Sequence, residues 1–419
     1  MKARPSLFQT ARSLTGNQRA IVMVEPLWSL PYNLFLPFAS VYMAALGLTD
    51  AQIGTVASAG LVTQFFWTIF SGAIIDKFGR RPIMLLFDIL SWAIPCVLWA
   101  VAQNYWYFFL AALFNGMWRV SGNCYGCIAL EDGDPDKLVG VYAILYIFGT
   151  ASGFLAPLAG LFFERFTLAP TMRAIYAAAV FLLSAKFVLQ YRLTTDSRMS
   201  LRRMEECRGQ SLLSLTFGGY GAFAAAIKQP KLYLLLALIA LNTCFNTVQT
   251  TFWPLFVTGE YGVSDSTFTL LPLVKAATAL VVYLFVTARI SLRAVRRPLL
   301  VGFVAQALGL AFLLSFLPLG HSALFAVFIS AMCDAVALAI LSPIFESLIG
   351  VTLPPAERAR VYSMMIALLL IVSAPIGWIA GQLSQMHRAL PFVLNLVLLA
   401  AEIFVAVKVA GMAGEGEKK

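Results

Sequence analysis

Arg119, Asp334, Glu25, Lys275 and Asp88 stand inside long apolar runs, where a charge is expensive. An ionisable side chain at the centre of a bilayer costs about 3 kcal/mol even on lenient insertion scales, so such residues usually mark binding sites, ion paths or proton relays. Arg119 lies in Asn115-Gly-Met-Trp-Arg119-Val-Ser-Gly122, and Asp334 lies 215 positions further on (334 − 119). Their opposite charges would make burial tolerable for both if they met across a central cavity. Glu25 is followed at helical spacing by Trp28, Ser29, Tyr32 and Leu36, so a carboxylate heads an aromatic, hydroxyl-bearing stripe. Drawn away from water, such a carboxylate favours its neutral form and can trade a proton near neutral pH. Lys275 can attract an anion or neutralise an acid, and Asp88 reads as part of a charged loop network. Read without function, the same residues give a static ion pair, an interfacial Glu25 that reaches water, and a lysine that snorkels.

Polar side chains at helical spacing accompany these charges. Asn242, Asn246, Gln249 and Trp253 recur at intervals of four, three and four, and Tyr142, Tyr146 and Thr150 at intervals of four. Asn33, Gln64 and Asn115 stand beside the candidate charges in their own runs. These residues suit the wall of a cavity open to a small solute, or equally hydrogen bonds between helices. Cys124-Tyr-Gly-Cys127 has redox spacing but lies in an apolar run with no βαβ pattern around it. The two histidines, His321 and His387, fall in loops. No metal-ligand cluster and no nucleophile–base pair is visible, so the expectation is a protein that is neither an enzyme nor a holder of metal or cofactor.

The elements that must position these residues follow from composition. Of 419 residues 60% are hydrophobic and 12% charged, too few charges to cover a water-soluble surface of this size. The apolar residues come in runs of roughly 20, long enough to cross a hydrocarbon core of about 30 Å as helix. The runs predict an all-α polytopic membrane protein with twelve spans near 20–46, 51–75, 82–102, 105–130, 138–163, 169–190, 231–257, 267–290, 298–319, 323–349, 359–382 and 390–411. The net charge of +10 collects on one side of this arrangement, in Arg12, Arg19, Lys77, Arg80, Arg81, Arg192, Arg198, Arg202, Arg203, Arg208, Arg296 and Arg297. Arg165, Arg173 and Arg388 fall on the other side. The bias places both termini in the cytoplasm and explains the basic balance without nucleic acid.

Landmarks repeat along the chain. Arg80-Arg81-Pro82 answers Arg296-Arg297-Pro298, Pro37 answers Pro254, Asp50 answers Asp265, Glu131 answers Glu346, and Ala156-Pro157 answers Ala374-Pro375, at offsets of 215 to 218. The repeat predicts two pseudo-symmetric six-helix bundles, 1–190 and 231–419, with a binding site between the halves near mid-membrane. A cytoplasmic linker, 191–230, joins them and carries a mildly apolar stretch, Ser211 to Ile227, suited to a helix along the membrane surface.

Between spans two and three the chain reads Gly72-Ala-Ile-Ile-Asp76-Lys77-Phe-Gly79-Arg80-Arg81-Pro82. Gly79 permits a tight turn, and Asp76 and the arginines can meet opposite charges at neighbouring helix ends. The stretch resembles the signature loop of the major facilitator superfamily, Gly-x-x-x-Asp-Arg/Lys-x-Gly-Arg/Lys-Arg/Lys, at every specified position. The second half keeps only Arg296 and Arg297. The resemblance implies a two-bundle fold that alternates between inward-open and outward-open states, steadied by a loop network. Its expected members are Gly72, Asp76, Lys77, Gly79, Arg80 and Arg81 with Glu131, and Arg296 or Arg297 with Glu346. Around Arg119 the sequence resembles the family's span-four arginine motif. In span five, Gly149-Thr-Ala-Ser-Gly153-Phe-Leu-Ala156-Pro157-Leu-Ala-Gly160 is similar to the antiporter motif of its drug- and proton-exchanging branch, with Ala156 and Leu161 in place of two glycines. The leading expectation is proton-coupled export of a small, mainly apolar organic solute by a monomer in a bacterial inner membrane. An uptake symporter for a sugar, organic acid or other metabolite is the first alternative, and a non-transporting membrane sensor the second.

Overall fold

The computed structural model describes residues 12–131, 138–217, 230–287, 290, 295–352 and 358–415. Among them every regular element is helical, as a bilayer demands of a chain whose backbone donors and acceptors must find one another. Ten helices are long and apolar enough to cross a membrane: Asp50–Phe78, Arg80–Ala100, Ile147–Phe166, Leu168–Leu193, Leu232–Glu260, Asp265–Phe285, Arg296–Ser315, Leu317–Ile349, Ser363–Met386 and Leu390–Lys408.

The runs expected at 20–46 and 105–130 are helical but broken. Gly16–Phe35 passes through a 3-10 turn at Leu36–Phe38 before Ala39–Ala45, because Pro37 has no N–H to continue the ladder. Tyr105–Asn115 and Trp118–Leu130 are parted at Gly116 and Met117. A Cβ on Gly116 would stand 2.6 Å from the Thr63 Cβ and 2.9 Å from the Gln64 backbone nitrogen, so the break is also where two helices touch. Pro157 has the same effect in the fifth run, ending Leu138–Gly153 and opening Ala156–Phe166. The third run contains a π turn, Ile89–Ala93, directly after Asp88.

Contacts gather into two compact units, the first within Met1–Leu36, Val62–Leu155 and Ala169–Gly219, the second within Pro37–Leu61, Ala156–Leu168 and Tyr220–Lys419. In the first, Gly16–Phe35 packs against Trp118–Leu130 and Leu138–Gly153, and Arg80–Asp88 against Trp118–Leu130. Ile21, Ile74, Met84, Phe87, Val120, Cys124 and Ile128 form its core. In the second, Pro230–Glu260 packs against Arg358–Met386 and Leu390–Glu415, and Leu324–Thr352 against Leu270–Phe285 and Arg296–Ser315. The second unit also holds a seam without side chains. Gly54 meets the Gly377 carbonyl and comes within 2.8 Å, by a Cβ built on it, of the Gly381 Cα. The Gly377-x-x-x-Gly381 spacing is what lets helices approach to backbone contact. Ser58 Oγ accepts from the Trp378 N–H (2.7 Å), and Asp50 accepts from Ser384 Oγ (2.6 Å) and lies 3.4 Å from Arg388.

Candidate functional site

In the first unit a lysine that the sequence reading passes over organises the site. Lys186, 4% exposed, sits on helix Leu168–Leu193, one helical turn from Gln190. Its ammonium lies 4.0 Å from Asp88 and within 5.2–5.5 Å of the ring centres of Phe187, Trp28 and Tyr125. Glu25 lies in the field of the same ammonium and accepts a hydrogen bond from Tyr125 Oη at 3.1 Å. Of the stripe expected after Glu25, Trp28 stacks on Tyr32 (5.5 Å between centroids) and both pack against Trp92, while Leu36 lies in the 3-10 turn and is exposed. Ser29 accepts from Ser152 Oγ, and its carbonyl from Asn33. Asp88, expected in the loop network, belongs to this cluster instead, next to the π turn that brings Trp92 in. Such turns are frequent at functional sites.

Arg119, in the same unit, donates from Nε to Gln64 Oε1 at 3.0 Å and lies 4.2 Å from the Trp118 ring. Asn115 donates to the Ser91 carbonyl inside the π turn. Repeat equivalence pairs Asp334 with Arg119 of the other unit; within its own unit Asp334 has Lys275 beside it. Lys275 Nζ is 2.7 Å from its Oδ2 and 4.6 Å from the Trp253 ring, because helix Leu270–Phe285 packs directly on Leu324–Thr352. Asp334 Oδ1, Trp253 Nε1 and Gln249 Oε1 are buried and find no hydrogen-bond partner among the described residues. Asn246 donates to both Asn242 oxygens. The side chains of Tyr142, Tyr146, Thr150 and Glu346 lie outside those described.

The loop network closes around residues the motif does not contain. Gly79 has φ +87°, a left-handed conformation that glycine adopts at little cost, and caps helix Arg80–Asp88. Arg80 is 2.8 Å from Glu131 and 3.6 Å from Asp76. Asp196 accepts from the backbone N–H of Arg80 and Arg81, and Ser197 Oγ donates to Glu131. Arg203 on the linker helix Arg198–Glu206 bonds Asp76 at 2.9 Å. Arg81 donates to the Tyr191 carbonyl and Lys77 to that of Gln210. Gly72 is exposed, with no atom near where a Cβ would stand, so close packing does not require a glycine there. Arg296 and Arg297 are exposed at the start of their helix. Of the apolar linker stretch, residues 218–227 lie outside the described ones, and Leu212–Phe217 is helical. Arg202 and Arg203 hold the exposed Glu206 carboxyl below its ordinary range by hydrogen bonding, so that pairing is fully present at neutral pH and fades only as acid reaches that lowered value.

Two buried charged residues escape the sequence reading: Lys186 on helix Leu168–Leu193 and Glu402 on helix Leu390–Glu415. The signal existed, since both fall within apolar runs. Lys186, four residues from the expected end of its span at 190, resembles a flanking basic residue, yet its side chain is enclosed.

Chains of known type share segments and fold with this one. Residues 28–377 match the Major Facilitator Superfamily. An uncharacterized MFS-type transporter of Bacillus subtilis, YqjV, is 31% identical over 86 residues, 20% of this chain and 21% of its own. The nitrate/nitrite transporter NrtP of Picosynechococcus is 30% identical over 112 residues, 27% and 21% of the two chains. The quinolone resistance protein NorA of Staphylococcus aureus is 27% identical over 88 residues, 21% and 22% of the two chains. Each of these matches spans only about a fifth of the relative. Over nearly the whole length, the crystal structure of the nucleoside transporter NupG superposes with a TM-score of 0.67 at 15% identity, covering 95% of this chain and 99% of the other. A crystal structure of the peptide transporter POT gives 0.70 at 15%, covering 98% of both. A helical membrane architecture, the Asp76–Arg81 loop with its ion pairs and a family match over most of the chain agree, and the protein belongs to the Major Facilitator Superfamily of transporters.

Proposed function

We propose that the chain exports small, mainly apolar organic solutes in exchange for protons, by alternating access. In this reading it crosses the membrane twelve times, in bundles 1–190 and 231–419 joined by the 191–230 linker, with both termini in the cytoplasm. It works as a monomer in a bacterial inner membrane.

The observation that carries the reading is the sharing of Lys186 by Glu25 and Asp88 beside the Trp28–Tyr32–Trp92 wall. Two carboxyls around one ammonium leave one charge to be balanced. A proton or a bound solute with a basic or donor group can supply that balance, and each makes the other less favourable. Mutually exclusive occupancy of one site is the physical basis of exchange. The aromatic faces supply apolar contact and suit a planar or cationic solute. Tyr125 holds the Glu25 carboxyl, and Gln64 orients Arg119 at the same bundle. The degraded antiporter motif of span five and the partial likeness to NorA favour export over import.

The test is proteoliposomes with a pH gradient, using a quinolone and ethidium as solutes. Each should drive a proton movement that Glu25→Gln abolishes while the protein remains folded. No solute-dependent proton movement with any member of a drug and metabolite panel would sink the mechanism. Anion uptake is the second reading, favoured by Arg119 and Lys275 and by the partial likeness to NrtP. Anion-dependent flux lost in both Arg119→Gln and Lys275→Gln would establish it instead.

A further inference from the structure

Glu402 stands midway along helix Leu390–Glu415 and is 0% exposed. Among the described residues neither of its carboxyl oxygens has a hydrogen-bond partner of full geometry, the Asn242 side chain only facing them, and no ammonium or guanidinium is paired with it. Three helices pack against its helix: Pro230–Glu260, Arg296–Ser315 and Arg358–Met386. From the first, Asn242 faces the carboxyl and Cys244 shares its field. The other ionisable residues of that helix, Lys231, Tyr233 and Glu260, lie at its ends. Those of the other two, Arg296, Arg297, Arg358, Arg360 and Tyr362, lie in their first two turns. On its own helix, Lys408 sits over the Phe404 ring at 4.3 Å.

The surroundings are arranged for a carboxyl that changes charge. Asn246 donates to Asn242 Oδ1 at 2.9 Å, so the acceptor end of Asn242 is engaged and its amide N–H groups are the end left for Glu402. Asn242, Asn246, Gln249 and Trp253 then run along one face of the helix for about 16 Å. That face ends where Trp253 meets Lys275, the partner of Asp334. An ionised carboxylate in a dry interior with no cation costs far more than the same group carrying a proton, and groups so placed neutralise.

We propose that Glu402 is a proton-binding residue, loaded in this conformation, and that the polar face of helix Pro230–Glu260 links it to the Lys275–Asp334 pair as a second station for the coupling proton. The first half stands on burial and partners alone; the second rests on the proton-coupled reading above. When the proton leaves for water, Asn242 is the donor at hand for the carboxylate it leaves behind.

The experiment is infrared difference spectroscopy of the full-length protein in liposomes, stepped from acid to alkaline pH, with ethidium-driven proton movement measured on the same preparations. The wild type should show a protonated-carboxyl stretch at neutral pH that is lost in Glu402→Gln and displaced in Glu402→Asp. In Asn242→Leu it should persist about one pH unit further into alkali, a tenfold gain in proton affinity on losing one hydrogen bond to the charged form. A band unchanged in Glu402→Gln overturns the site. If that variant does not fold, Glu402→Asp and Asn242→Leu decide by the same band, and no displacement in either overturns it. A band that is assigned to Glu402 while Glu402→Gln keeps full ethidium-driven proton movement overturns the link to Asp334. Absence of that movement in the wild type overturns the exchange reading instead, and the band still decides the proton site.

Discussion

In the unit built on Gly16–Phe35, one buried ammonium serves two carboxyls. Lys186 stands 4.0 Å from Asp88 and keeps Glu25 within its field, while Tyr125 bonds Glu25 directly. In the other unit the same inventory of two carboxyls and one lysine is divided differently. Lys275 closes on Asp334 at 2.7 Å, and Glu402 has no cation paired with it among the described residues. A shared ammonium makes a soft site, in which moving one proton redistributes charge over several groups. A dedicated pair is stiff, because breaking it strands a charge in a medium that cannot solvate it. The two units thus divide the work of holding charge inside a membrane between adaptability and commitment.

The comparison breaks most readily at the stiff pair. Lys275→Met should strand Asp334, which already has one unpartnered oxygen, and lower stability by about 3 kcal/mol. Thermal unfolding of the purified protein in detergent measures this, and Lys275→Met/Asp334→Leu should recover most of the loss. If the single and double variants melt together, the pair is not dedicated. Lys186→Met should cost less, about 2 kcal/mol, since Tyr125 still holds Glu25 and the Asp88 contact is the longer one. A loss larger than that of Lys275→Met would reverse the ranking of the two sites. Tyr125→Phe removes one hydrogen bond at about 1 kcal/mol, and should sharpen the comparison by moving the pH profile of transport without changing that of Lys275 variants. Asp76→Asn lies outside both sites. It should cost about 0.5 kcal/mol, because its nearer partner Arg203 is exposed and its contact with the buried Arg80 is the longer one, with Glu131 still holding Arg80, yet it should reduce transport several-fold in vesicles that contain normal amounts of protein. Full transport would remove the loop network from the conformational cycle.

The distinction between the two sites was only half legible from residue order. Apolar runs, the basic bias and the Gly72–Pro82 motif are local or additive signals, and they led to a helical membrane transporter family. Glu25 with Trp28 and Tyr32 was legible for the same reason, since helical spacing fixes which side chains share a face. The Lys275–Asp334 contact is not legible, because symmetry between halves relates positions, whereas ion pairs within a unit follow which helices touch. Asp88 falls outside the loop network because it meets Lys186 of a helix distant in sequence, a contact that no local spacing announces. The grip of Asp196, Ser197 and Arg203 on the loop depends on how a polar linker folds back, and its composition carries no period to read.

The Gly54–Gly377–Gly381 seam has a consequence of its own. Interlocked side chains loosen by degrees, each rotamer yielding in turn. Two bare backbones have nothing to rearrange, and dispersion between them vanishes once a gap the width of a methyl group opens. Such a junction tolerates little sliding, because the helices can lie this close only in the one register that aligns the three glycines.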